Sequence, residues 1–341
     1  MAIVYRVGAD ENGLGGQLGP LVVTAVSAEV SEAGTRFLSR RLPKRLREDL
    51  DDSKALVSSH DTRLGEAWCR VLLEREAGGA LDTPARLLSR LLLTPEAALR
   101  VRCPSQTEAQ CWQPRSESFT AEPATVEKLT RHLAELEGRG VSLRSVRSEV
   151  ICTSALNANK RNGVHRFMTD LHAMEALLLD QRALAERPIL AVCGKIGGMG
   201  QYGRFFGPLS AELHSVLVEG RAESRYHFPS LGEVRFVRDA DAKDPLVMLA
   251  SLVGKYVREL FMERITSFYP KERALAAPEG HPSGYHDPVT QRFVELTRRA
   301  RRRLEVVDDC FLRIREEKAP PAAKPKRSAG AAVNSGQGSL F

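Results

Sequence analysis

The sequence predicts an α/β fold, a mixed β-sheet flanked by helices. Three observations predict it. The chain opens on a β-branched, alternating stretch and, across a glycine-rich turn, follows it with a second one. Pro188 to Cys193 is a short unbroken apolar run, the pattern of a buried central strand. Around these lie long segments with apolar residues at helical spacing. The 341 residues are enough to bury a core without disulfide or metal staples.

The first strand is expected over Ile3 to Ala9, ending at Asp10. Gly13, Gly15, Gly16 and Gly19-Pro20 mark the turn, and Leu21 to Val30 is the second strand. The charged stretch from Arg36 to Lys54 reads as helical. Residues 60–145 are helix-forming, around Leu64–Glu76, Pro84–Leu93 and Thr125–Glu137, with a polar loop over Cys103–Pro123. A third strand is expected at Val146–Cys152, a helix at Val164–Ala183, strands at Pro188–Cys193 and Glu233–Val237, and a strong helix at Pro245–Ile265. Asp287-Pro288, an N-cap followed by proline in the first turn, starts a last helix running toward Arg303. Residues 1–317 are expected to form one domain, with 60–145 as a helical insertion. From Lys318 to Phe341 the composition cannot bury a core, so this tail is expected to be disordered.

Composition narrows the function classes. Fifty Lys and Arg against 43 Asp and Glu give a net charge of +7. Lys318, Lys324, Lys326 and Arg327 supply four of those charges with no acid among them, leaving +3 for the other 317 residues. Bulk charge therefore permits a nucleic-acid partner without requiring one. No run approaches a membrane span, and the N-terminus lacks the apolar core of a signal peptide. The six cysteines include no C-x-x-C pair, which argues against a zinc site and for a reducing, cytoplasmic setting. Nothing calls for an oligomer, and a monomer is expected.

Four constellations carry chemistry. Asp10-Glu11-Asn12-Gly13-Leu14-Gly15 puts two adjacent carboxylates at a strand end. Such a pair repels, and a hard dication relieves it; the same residues also make an ordinary surface turn. On the helix Pro245–Ile265, Ser251, Lys255 and Glu259 step by four on one face, either toward a polar site or as a solvated i,i+4 pair. Asp239, Asp241 and Asp244 precede that helix, as dipole-favoured turn residues or as metal ligands. Asp52-Ser53-Lys54 reads as a helix cap. Gly194 to Gly200 is glycine-rich but lacks the Gly-Lys-Ser/Thr ending of a P-loop, which excludes that class of triphosphatase.

Together these elements resemble the type 2 ribonucleases H. Asp10 to Gly15 with Leu18-Gly19-Pro20-Leu21-Val22-Val23 is similar to that family's opening signature, and Asp52-Ser53-Lys54 to its Asp-Ser-Lys motif. Asp241 with Ala250-Ser251-Leu252-Val253-Gly254-Lys255-Tyr256-Val257-Arg258-Glu259 resembles its Ala-Ser-x-x-(Ala/Gly)-Lys-x-x-Arg-(Asp/Glu) helix, and Ser283-Gly284-Tyr285 its Gly-Tyr element. The resemblance covers roughly residues 3–58 and 147–315.

It implies an RNase H-like fold and cleavage of the RNA strand of RNA/DNA hybrids, or at ribonucleotides embedded in DNA, with Mg²⁺ or Mn²⁺. By motif, Asp10, Glu11 and Glu259 would be metal ligands and Asp241 a further catalytic carboxylate. Gly13, Leu14 and Gly15 would contact the ribose 2′-OH. Lys54 and Lys255 would hold phosphates, and Tyr285 would stack on a sugar. The family's remaining catalytic Asp falls on Cys193 or Gly194, and neither offers a hard oxygen. The competing expectation is therefore a catalytically degenerate relative that binds nucleic acid.

The chain ends Gln337-Gly338-Ser339-Leu340-Phe341, which resembles the bacterial sliding-clamp-binding peptide. Leu340 and Phe341 on a flexible tail have no core to join, so a partner's apolar pocket is expected to take them, with Gln337 at its edge. Arg298 to Arg303 holds five arginines in six positions, either a phosphate grip or a solvated helix end.

Overall fold

Alternation along the first two strands sorts the molecule into layers. In the computed structural model, which describes residues 3–58, 61–103, 109–114, 117–276 and 280–315, one seven-stranded sheet runs in the order β3-β2-β1-β4-β7-β6-β5. β1 (Val4–Asn12) and β2 (Leu21–Val30) are antiparallel, and β3 (Val141–Ile151) adds antiparallel to β2. β4 (Ile189–Gly194) and β7 (Gly232–Val237) run parallel to β1. β5 (Ser215–Glu219) and β6 (Glu223–Phe228) form an antiparallel edge ribbon. This is the predicted architecture, a mixed sheet flanked by helices.

The helices follow the same logic. In chain order they are α1 (Glu32–Leu38), α2 (Lys44–Arg47), α3 (Ser53–Leu56), α4 (Arg63–Ala77), α5 (Pro84–Leu91), α6 (Glu96–Arg100), α7 (Pro123–Gly138), α8 (Thr153–Arg161), α9 (Arg166–Ala185), α10 (Pro245–Ser267), α11 (Pro270–Ala276), α12 (Pro288–Leu296), α13 (Arg298–Arg303) and α14 (Asp308–Phe311). Tyr5, Val7 and Ala9 of β1 and Leu21, Val23 and Ala25 of β2 share one core with α9. Val22, Val26, Ala28 and Val30 turn to the other layer, packed with α4, α7 and α10. The segment 60–145 thus covers the sheet's second face. Trp68 lies at its centre, fully buried, its indole N–H donating to the Asp49 carbonyl at 2.7 Å. A β-bridge from Leu92 to Ser148 fastens the segment to β3.

Several expectations need correction. The stretch 36–54 is not one helix: Pro43 opens α2, and the Asp52 side chain caps α3 by accepting from the Lys54 amide at 2.9 Å. The last helix breaks at Thr297, whose hydroxyl bonds back to the Phe293 carbonyl at 2.7 Å, the back-bonding that bends helices. α10 is buried except along one line stepping by four, Lys255, Glu259, Glu263 and Ser267, of which Lys255 and Glu259 face the cleft described below while Ser251 is buried. β5 escaped prediction because all five of its residues are exposed and show no burial period. Residues 316–341, and with them Gln337, Leu340 and Phe341, lie outside the described residues. Among the described residues no helix is long and apolar enough to cross a membrane.

Candidate active site

The site forms where β1 and β4 end side by side. Their register pairs Ala9 with Cys193, which sets Asp10 beside Gly194. A Cβ on Gly194 would lie 2.5 Å from Asp10 Oδ1 and 3.4 Å from Glu11 Oε2. The carboxylates occupy the space that any side chain at 194 would need. Cys193 points the other way, buried with Ile189 and Ala191 in the core beneath α9.

Strand alternation also separates Asp10 from Glu11. Asp10 faces α10, where the Ser251 hydroxyl donates to it. Ser251 is held in turn by Ser53 of α3 at 2.9 Å. Glu11 follows Tyr5, Val7 and Ala9 toward α9 and there meets Asp170. Asp170 is fully buried, and neither of its carboxylate oxygens has a hydrogen-bond partner. It repels Glu11 more strongly than the adjacent Asp10 does. Burial first, and repulsion second, push Glu11 and Asp170 both well above the carboxylate range, the repulsion coming from Asp170 and then Asp10 on Glu11 and from Asp10 on Asp170. Asp10 is pushed up to about 7, chiefly by burial, with Asp241 adding to the rise.

Asp241 enters from the turn before α10 and forms an ion pair with Lys54 at 2.8 Å. Glu259 lines the same cleft, where burial raises it above its usual range; Arg258, to which it is hydrogen-bonded, Lys255 and His281 oppose that rise. The structure therefore groups Asp10, Glu11 and Asp241 with Asp170 and sets Glu259 among cations. The cleft holds about 570 Å³, with Lys54, Lys195, Arg238, Lys255 and Arg258 along its walls. Lys255 Nζ donates to the carbonyls of Val57 and, at 3.3 Å, Ser53. Lys195 Nζ bonds Gly220 and Ser224 at 2.5 and 3.0 Å.

Buried arginines hold the loop after β1. Gly13 sits at φ +91°, and a Cβ there would lie 2.6 Å from Arg258 Nε. Arg258 donates to the Ser283 carbonyl at 2.9 Å and stacks on the half-exposed Tyr285 ring at 4.4 Å. From the far end of the chain, buried Arg313 donates to the Gly13 carbonyl at 2.6 Å and to Gly19 at 2.8 and 3.0 Å. Arg166 adds a bond to Gly16 at 3.1 Å. Leu14 is half-buried beside the α9 core. Gly13→Ala is expected to destabilise the fold by about 1–3 kcal/mol, through the strained φ and the displaced arginine; chemical denaturation measures it.

The donor set fits a hard divalent cation. Its atoms are carboxylate oxygens, two of them buried without a partner. Among the described residues no three of the acidic, His or Cys side chains yet close on one point.

Two residues of this site escaped the sequence reading. Asp170 had a signal: it stands at a buried position of a helix among Leu171, Met174 and Leu177, where a charge is rare unless paired or functional. Arg313 had none, because its partners lie about 300 residues away in the chain.

No family model matches the chain, and no curated protein matches it. Among solved structures it is similar to RNase HII from Archaeoglobus fulgidus in its PCNA:RNase HII complex, at 16% identity over 94% of this chain and 98% of that one, with a TM-score of 0.41. It is similar to the ribonuclease H2 from Pyrococcus horikoshii OT3 at 16% identity over 90% and 92%, TM-score 0.38. Bst-RNase HIII in complex with Mn²⁺ matches at 16% identity over 87% of this chain and 71% of that one, TM-score 0.36. These likenesses are distant, and the site's own geometry bears on function.

Proposed function

We propose that this protein is a metal-dependent endonuclease of the RNase H type 2 kind, acting on the RNA strand of RNA/DNA hybrids or on ribonucleotides embedded in DNA. The observation that carries this reading is the buried Asp10–Glu11 pair with Asp241 beside it, in a cleft walled by lysine and arginine, and Asp170 buried next to Glu11 behind the cleft. An acidic floor under basic walls suits a phosphodiester approached by divalent cations. Mg²⁺ or Mn²⁺, when bound, activates the attacking water and stabilises the leaving oxygen.

The chain's own residues supply the rest. Asp10, Glu11, Asp241 and Asp170 hold the cations, and Asp170 replaces the carboxylate that Cys193 and Gly194 cannot offer. Glu259, first expected as a ligand, orients Arg258 in this reading. Gly13, Leu14 and Gly15 meet the ribose 2′-OH, the group that separates RNA from DNA. Tyr285, fixed by Arg258, offers its exposed face to a sugar. Lys54 and Lys255 steady the phosphates. Gln337, Leu340 and Phe341 tether the enzyme to the sliding clamp. The degenerate, binding-only reading loses its main support once Asp170 is counted.

Three duplexes test the proposal: an RNA/DNA hybrid, DNA with one ribonucleotide, and all DNA. With Mg²⁺ or Mn²⁺ the first or second is cut and the third is not. Cutting of none, or of all three alike, contradicts it.

A further inference from the structure

The six cysteines carry no zinc-like spacing, and the sequence argues against a zinc site on that ground. In the fold, however, Cys103, Cys111, Cys152 and Cys310 line one cavity. They arrive from the end of α6, the loop before α7, the junction of β3 and α8, and α14. The other two, Cys69 and Cys193, are buried in the separate cores on either side of the sheet. The space between the four is about 20 Å³, room for one water-sized sphere.

Polar groups face two of the sulfurs. The Trp112 indole N–H bonds the Cys103 sulfur, and Ser154 bonds that of Cys310. Donors of this kind orient metal-bound sulfur. Gln110 ties the Cys111 loop to α14, donating to the Cys310 carbonyl at 3.0 Å while its own carbonyl accepts from Tyr269 at 3.1 Å. Trp112 packs edge-on against Phe261 of α10 at 5.0 Å and fixes the loop from the other side. Burial first, and the neighbouring thiols second, raise the Cys111 thiol well above its usual range and the Cys310 thiol to about 11. A cation among them reverses both effects. Simple packing would account for one small apolar cysteine, not for four meeting from four segments around a void.

We propose that Cys103, Cys111, Cys152 and Cys310 hold one Zn²⁺ ion in a tetrahedral four-sulfur site. Soft thiolates select zinc over the hard ions of the carboxylate cleft. Among the described residues no three such side chains stand together closely enough to hold a metal, so the four cysteines must turn into the void for zinc to bind. The ion's role is structural. It joins the helices of 60–145 to the end of β3 and to α14, just ahead of Arg313, and so fixes the arginine that holds Gly13 and Gly19. This inference stands whether or not the protein is a nuclease.

The test uses the full chain purified under reducing conditions without chelator. Elemental analysis is expected to find one zinc per chain, released as one equivalent when a mercurial blocks the thiols. Co²⁺ exchanged into the site is expected to show thiolate charge transfer and the intense visible bands of a tetrahedral ion. Cys152→Ser and Cys310→Ser lose the bound equivalent, and Cys69→Ala keeps it. Should the serine variants fail to fold, the Co²⁺ spectrum of the wild type decides alone. Reduced wild type that takes up neither Zn²⁺ nor Co²⁺ overturns the proposal. So does an iron–sulfur chromophore, or a cobalt spectrum unchanged in a folded Cys310→Ser.

Discussion

Asp170→Asn is expected to raise the melting temperature of the metal-free protein at pH 8 and to weaken Mn²⁺ binding by about 10–100-fold or more, at least roughly 1.4–2.8 kcal/mol. The two effects have one cause. Asp170 lies fully buried with both oxygens unpartnered, facing Glu11. Without a cation, its negative charge adds repulsion to a site already crowded by Asp10 and Glu11, and the amide removes that charge with no change of shape. With a cation, the same charge is a ligand. A residue that only packs would not move stability and metal affinity in opposite directions. The gain should shrink as the pH falls, because burial and repulsion favour the neutral carboxyl. Calorimetry with and without Mn²⁺ reads both quantities. Adding Cys193→Asp to the Asp170→Asn variant returns a carboxylate to the face beneath α9, and recovery of part of the Mn²⁺ affinity is expected.

Without metal, the protein should lose stability as the pH rises from about 4 through 7, the reverse of ordinary acid denaturation. Asp10 titrates near 3.8 in the unfolded chain and is pushed up to about 7 in the fold, mainly by burial. Between those values the folded state binds more protons than the unfolded one, so unfolding free energy falls with increasing pH. The contribution is whole below about 4 and gone above about 7. Glu11 and Asp170, shifted the same way, add to the decline. Mn²⁺ is expected to cancel the slope, since it binds the ionised carboxylates and adds about 2.7 kcal/mol at one hundred times its dissociation constant. Melting temperatures from pH 4 to 9, with and without Mn²⁺, check it. A flat metal-free profile would remove the buried-carboxylate account of the cleft.

Much of the sheet is legible in the sequence because its signals are local. β2 runs from Leu21 to Val30 as expected, and the apolar run ending at Cys193 is the central strand β4. Asp10 and Glu11 are visible as a site because adjacency in sequence becomes adjacency in the cleft. Alternation then divides them between α10 and α9, and only the folded chain shows which helix receives which. Asp170 is hidden because its meaning depends on that division: a lone aspartate in a helix gains significance only when Glu11 is across from it. The four cysteines evade sequence reading for a similar reason. A spacing rule detects residues paired along the chain, and Cys103, Cys111, Cys152 and Cys310 reach one cavity through the sheet and α14 instead. Glu259 shows the converse. Its place on α10 is as expected, but the neighbouring Arg258 pairs with it.

The most direct measurement is cleavage of a DNA duplex carrying one ribonucleotide, followed in Mn²⁺ for the wild type and for Asp10→Asn. The account predicts metal-dependent cutting at the ribonucleotide by the wild type. It predicts a loss of about 10³-fold or more in the variant, roughly 4 kcal/mol of barrier. An inactive wild type that still binds the duplex, or equal cutting by the two proteins, would contradict it.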